Sequence, residues 1–114
     1  METDCLFCKI VNRELPADVV FEDETLLAFN DISPQAPTHA LIIPKKHIAT
    51  VNDLTDAEIS LPGAMILRAR ALADEKGIAE SGYRLILNCN PEGGQTVYHI
   101  HLHLLGGRQL RALG

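Results

Sequence analysis

The sequence predicts an α+β fold: a five-stranded antiparallel sheet with one short and one main helix packed against it. Three observations lead there. Four short apolar runs, Val19 to Glu22, Leu26 to Asn30, His39 to Ile43 and Gly82 to Asn88, are bounded by turn-forming residues and read as strands. A fifth run, His99-Ile100-His101-Leu102-His103-Leu104-Leu105, alternates with the two-residue period of a strand. Between residues 55 and 77 lies a stretch long enough for a covering helix, and most other connections are short enough for antiparallel neighbours.

In chain order, Leu6 to Asn12 forms a short helix that stops before Pro16. The acidic Asp23-Glu24-Thr25 turns the first two strands into a hairpin, and Ser33-Pro34-Gln35-Ala36-Pro37 breaks regular structure before the third, which Pro44 ends. Thr55-Asp56-Ala57-Glu58 has the capping-box pattern, so the main helix is expected from there to about Lys76, with Gly77 at its C-terminal cap. Pro62-Gly63 falls inside that span. A kink is the favoured expectation, and a later start near Ser60 is the alternative. The loop Asn90-Pro91-Glu92-Gly93-Gly94 then returns the chain to the histidine strand.

At 114 residues, 46% of them hydrophobic, the chain is expected to be one domain, 1–114, with a small core. There is no internal repeat or low-complexity segment. A net charge of -5 argues against a nucleic-acid binder, which needs clustered Lys and Arg, but leaves a single nucleotide open as ligand. Met1-Glu2-Thr3-Asp4 lacks the basic start and apolar run of a secretory signal, and no apolar stretch approaches the ~20 residues of a membrane span. The expectation is a cytoplasmic protein with no membrane partner. Three cysteines, an odd number, then argue against a disulfide framework.

Chemistry concentrates in the histidines, of which there are five. On a strand, the three of residues 99 to 103 would project from one face while Ile100, Leu102 and Leu104 enter a core on the other. Solvent-facing histidines are an ordinary explanation for any one of them and a poor one for three in register. A single metal ion is also a poor fit, because the outer pair would be about 13 Å apart along a straight strand. Covalent catalysis remains: the middle imidazole attacks, and its neighbours bind oxygens or hold its orientation. The flanking Gly93-Gly94-Gln95-Thr96 and Gly106-Gly107-Arg108 suggest backbone donors for a phosphate.

Residues 99 to 105 resemble the signature of the histidine triad (HIT) family, His-apolar-His-apolar-His followed by two apolar residues. Phe29 to His39, Ile43-Pro44-Lys45-Lys46-His47 and Gly106-Gly107-Arg108-Gln109 are similar to its Hint branch. The resemblance implies a homodimer that joins two five-stranded sheets, and a purine nucleoside monophosphate pocket beside the histidines. It also implies hydrolysis of the P–N bond of AMP-amines through a nucleotidyl-histidine intermediate. By motif position His101 is the nucleophile, while His103 and the backbone around Thr96 bind phosphate oxygens. Asp31 falls where the family contacts ribose hydroxyls, with Ile32 and Phe29 near the base, and Asn88, Gly94, Gln95 and Thr96 at phosphate contacts. Two alternatives stay open: a dinucleoside polyphosphate hydrolase, and a nucleotide-sensing or interaction module with incidental activity. The ending Arg111-Ala112-Leu113-Gly114 departs from the aromatic-containing tail of many Hint-branch proteins.

Cys5-Leu6-Phe7-Cys8 has a spacing that closes a metal ring, but spacing alone supplies two ligands of the four that structural zinc takes. Two small cysteines packing a short helix is the plain alternative. The resemblance to bacterial-type HIT proteins supplies the other two ligands, His47 and His99. Zinc held by Cys5, Cys8, His47 and His99 would be structural, because four protein ligands leave no position for an activated water. Cys89 is expected to be buried.

Overall fold

A computed structural model describes residues 4–114. Five strands, β1 (Val19–Glu22), β2 (Leu26–Asn30), β3 (Thr38–Pro44), β4 (Tyr83–Ile86) and β5 (Leu102–Gly106), form one antiparallel sheet in the order β1-β2-β3-β5-β4. The short helix α1 (Leu6–Val11) and the main helix α2 (Leu61–Glu75) complete the fold, with three single turns of 3-10 helix in the connections.

Strand parity decides which side each residue serves. Leu26, Ala28, Ala40, Ile42, Ile100, Leu102 and Leu104 are buried together with Leu61, Met65, Ala69, Leu72 and Ala73 of α2. Those helix positions recur at three- and four-residue intervals, which is one face of an α-helix. The opposite parity, Leu27, Phe29, Leu41 and Ile43, is buried with Phe7 of α1. His39 and His103 share that second parity, so the pleat alone puts them on the α1 side of the sheet. Register does the rest: Leu41 pairs with His103 and His39 with Leu105, which makes the two histidines diagonal neighbours.

Two expectations about element boundaries change. Thr55 and Glu58 do form a capping box, but it closes a 3-10 turn at Asp56–Glu58. The main helix starts at Leu61 with Pro62 in its first turn, so the kink is replaced by the later start. Proline is favoured there because an amide in the first turn has no intrahelical acceptor to lose. Likewise β5 begins only at Leu102. The segment before it is anchored instead by the Ile100 amide, which donates to the Ile48 carbonyl at 2.8 Å.

Candidate active site and metal centre

The His101 side chain is buried and its ring geometry is fixed by one bond. Nδ1 lies 2.7 Å from the backbone oxygen of His99. A carbonyl can only accept, so Nδ1 carries the proton and Nε2 keeps its lone pair. Burial pushes the imidazole below its ordinary pKa, against the opposing pull of the His99 carbonyl and the Asp31 charge. The ring is therefore a neutral base with a bare Nε2 at neutral pH.

A second chain of bonds fixes His103. The Gln35 amide donates to Nδ1 of His39 at 3.0 Å, so the His39 proton sits on Nε2. That nitrogen is 2.9 Å from Nδ1 of His103, which must accept, leaving the His103 proton on its own Nε2. Asp31 closes the group with Oδ2 3.5 Å from His39 Nε2. His103 is pushed down to about 4 by burial and then by the nearby His101 and His39, and His39 is lowered by burial. Asp31, His39 and His103 lie close enough to suggest an ion site. The hydrogen bonds argue otherwise, because a metal on His39 Nε2 would need Nδ1 to be a donor, and Nδ1 faces an amide. The group is a relay that leaves His103 presenting an N–H next to the bare nitrogen of His101, with ring centroids 4.9 Å apart.

His99 turns away from this pair. Its Nε2 donates to the Pro44 carbonyl at 2.7 Å, which leaves Nδ1 unprotonated. Around that nitrogen stand Cys5 Sγ at 3.3 Å, Cys8 Sγ at 3.6 Å and His47 Nδ1 at 3.3 Å, and His47 Nδ1 lies 3.3 Å from Cys8 Sγ. The four donor atoms are all within 4.8 Å of one another. An imidazole that gives its far N–H to a backbone carbonyl while its near nitrogen joins a sulfur and nitrogen cluster has the outer-shell arrangement of a metal ligand. The histidine row thus divides: one ring in the cluster, one in the relay, and between them one with an unprotonated Nε2.

Residues 12–110 match the family description HIT domain. The chain belongs to the HIT family. It is 56% identical over 110 residues to an Escherichia coli K12 protein named purine nucleoside phosphoramidase, covering 96% of this chain and 92% of that one. An uncharacterised HIT-like protein of Synechococcus elongatus is 51% identical, covering 96% of both. A HIT family hydrolase from Legionella pneumophila superposes with a TM-score of 0.93 at 62% identity, over 95% of this chain and 96% of that one. A histidine triad protein from Clostridium difficile gives 0.95 at 42% identity, over 100% and 99%.

Within this HIT fold the remaining predicted residues fall into two groups. Asp31 and Ile32 lie just past β2, Asp31 beside His39 and Ile32 94% exposed at the surface. Asn88 follows β4 and faces Gly94, whose φ of +90° holds the left-handed turn, with Asn88 Nδ2 3.8 Å from where a Cβ would stand. Thr96 is exposed beside them. Phe29 and Gln95 serve differently. Phe29 is 5% exposed, edge-on to Phe7 at 5.4 Å, so its ring is part of the core. The buried Gln95 side chain accepts from the Asn90 amide at 2.8 Å and donates to the carbonyls of Ala49 and Val97 at 2.8 and 3.1 Å. Those bonds fix the 90–97 loop and leave mainly backbone for a ligand. Cys89, expected to be buried, is part-exposed. Sequence reading did not single out His39 or Phe7 for the site. His39 was visible in the Pro-Thr-His motif, while nothing local distinguishes Phe7 from any core aromatic.

Proposed function

We propose that this protein hydrolyses purine nucleoside phosphoramidates, cleaving the P–N bond of an AMP-amine through a nucleotidyl intermediate on His101. The observation that carries the reading is the bare Nε2 of a buried, neutral imidazole beside a histidine N–H. The naming of a relative 56% identical over almost the whole chain supports the substrate class. In the first step the Nε2 lone pair forms an N–P bond while the P–N electron pair leaves with the amine, which takes up a proton from solvent that the attacking water returns in the second step. Water then displaces the imidazole from phosphorus, giving AMP and the free enzyme. One difficult substitution becomes two easier ones. His103, with its proton on Nε2, donates to a phosphate oxygen, and Asn88, Thr96 and the backbone at Gly94 and Gln95 complete the phosphate cradle. Asp31 takes the ribose hydroxyls, with the base towards Ile32 and Phe29 supporting that side of the pocket from within the core. His99 is not the acid for the leaving amine, since its Nε2–H is held by Pro44 and its Nδ1 faces the thiols.

The cluster of Cys5, Cys8, His47 and His99 is assigned to structural zinc. A tetrahedron with Zn–N of about 2.05 Å and Zn–S of about 2.3 Å has edges of about 3.4 Å between nitrogens and about 3.6 Å between nitrogen and sulfur. The observed separations, 3.3 Å between nitrogens and 3.3 to 3.6 Å between nitrogen and sulfur, fit that set. Bound zinc would supply no reaction chemistry, only a cross-link between α1, the chain after β3 and the histidine segment.

A homodimer is the assembly that fits the surface. β4 is an outer strand, and Leu87 after it and Ile66 and Leu67 on α2 are exposed apolar residues. The cytoplasm is the proposed location, in keeping with an odd number of cysteines, which suits a reducing compartment. Among the described residues no helix is long and apolar enough to cross a membrane. The decisive experiment is kinetic: His101→Gly is expected to abolish turnover of an AMP-amine while AMP still binds. Wild-type activity in that variant would refute the mechanism, and faster turnover of diadenosine polyphosphates than of AMP-amines would assign the neighbouring reaction.

A further inference from the structure

Phe7 belongs neither to the histidine triad nor to the cysteine pair, yet it touches the ring at the heart of one and sits between the members of the other. It is buried on α1, and its ring stands edge-on to His101 at 5.0 Å and 88°, and to His99 at 5.9 Å and 69°. α1 has six residues. A helix of fewer than ~12 residues does not hold itself in water, so tertiary anchors decide its position. Those anchors flank Phe7: the Cys5 thiol accepts the Cys8 amide and lies 3.3 Å from His99 Nδ1, and the Cys8 thiol lies 3.3 Å from His47 Nδ1. A second link runs through the backbone. The residue whose ring enters the cluster, His99, is also the one whose carbonyl holds the His101 proton.

We propose that Phe7 is a positioning residue that couples metal occupancy of the Cys5, Cys8, His47 and His99 cluster to the orientation of the His101 imidazole. With the cluster filled, α1 is held at both thiols, the edge of Phe7 closes one side of the His101 ring, and the Nδ1–H bond to His99 is the arrangement the space allows. With it emptied, α1 is held only by thiol to imidazole contacts and by the packing of Phe7 with Ile10 and Val11 beside it, without the cross-link of a cation. The His101 ring then samples other orientations, and Nε2 is aimed at phosphorus for a smaller share of the time. This inference extends the phosphoramidase reading, in which that ring is the nucleophile.

The test uses the full chain, reduced, with zinc removed by chelation and then titrated back. Ring-nitrogen NMR of His101 is recorded without nucleotide, and zinc content and AMP-amine kinetics are measured alongside. Zinc-loaded wild type is expected to show a single Nδ1–H tautomer, and metal removal is expected to give a mixture. Phe7→Leu should keep about one zinc per chain, show the mixed tautomer even when loaded, and lose about tenfold in kcat with KM little changed. Removing zinc from Phe7→Leu should then add little. Cys5→Ser, which leaves Phe7 in place, should reproduce the metal-free wild type. A His101 signal indifferent to zinc, effects of Phe7→Leu and zinc removal that multiply independently, or a failure of zinc to bind would each overturn the coupling. If the tautomer responds as expected and no AMP-amine is turned over, the coupling stands and the phosphoramidase reading falls.

Discussion

One carbonyl sets the chemistry at position 101. Because the His99 carbonyl accepts the Nδ1 proton, Nε2 is left as the unprotonated ring nitrogen before any ligand arrives. The relay from the Gln35 amide through His39 does the converse for His103, giving it a donor to offer. His39→Ala removes the donor that His103 Nδ1 accepts from and is expected to lower kcat by about ten- to hundredfold, the range of a lost positioning contact, measured with an AMP-amine at saturation. A small change in KM accompanies it if the relay acts mainly on the reacting phosphate. Gln95 makes a different point. Its replacement by alanine strands the Asn90 amide and two carbonyls, and should destabilise the protein by about 1–3 kcal/mol in urea denaturation. The motif match named Gln95 as a phosphate contact, and only the folded loop shows its side chain turned inward. Sequence carries residue type, not which way a side chain faces in an irregular loop.

Among the elements, those with a clear period were legible and those defined by competition between neighbours were not. The hairpin, β3 and the alternation through Ile100, Leu102 and Leu104 follow from parity and turn residues. The start of α2 did not, because the capping box at Thr55 and the proline at 62 are both good helix-start signals. The chain uses each for its own turn. His99 and His101 lie outside the regular strand for a similar reason: their segment pairs with the chain around Ile48, a long-range contact no local pattern encodes. That same contact brings His47 to His99 and so assembles the cluster of Cys5, Cys8, His47 and His99. Gly107 after β5 tests how tightly the end of the strand is built. Its φ is +96° and a Cβ would lie 2.8 Å from Pro37 Cβ. Gly107→Ala should therefore cost about 1–3 kcal/mol of unfolding free energy in urea denaturation, through backbone strain and the clash together.

For the molecule as a whole, the buried His39 and the half-buried His103 make stability depend on pH. His103 is held near 4 and His39 below its ordinary value of 6.5, so the unfolded chain binds protons that the folded one refuses. Their contribution is fully present above about 6.5 and is lost as the pH falls through 4. The urea midpoint should drop across that window, and His103→Gln should flatten the drop; a profile unchanged by that substitution would contradict the assignment. Sedimentation should give twice the 12.5 kDa chain mass if outer strands and α2 faces pair between copies. The central claim concerns a covalent bond, and mapping that bond tests it most directly. Rapid quenching of the protein during turnover of an AMP-amine, followed by peptide mass spectrometry, should place one adenylyl group on His101. Turnover accompanied by the group on any other residue, or continuing at the wild-type rate in His101→Gly, would contradict it.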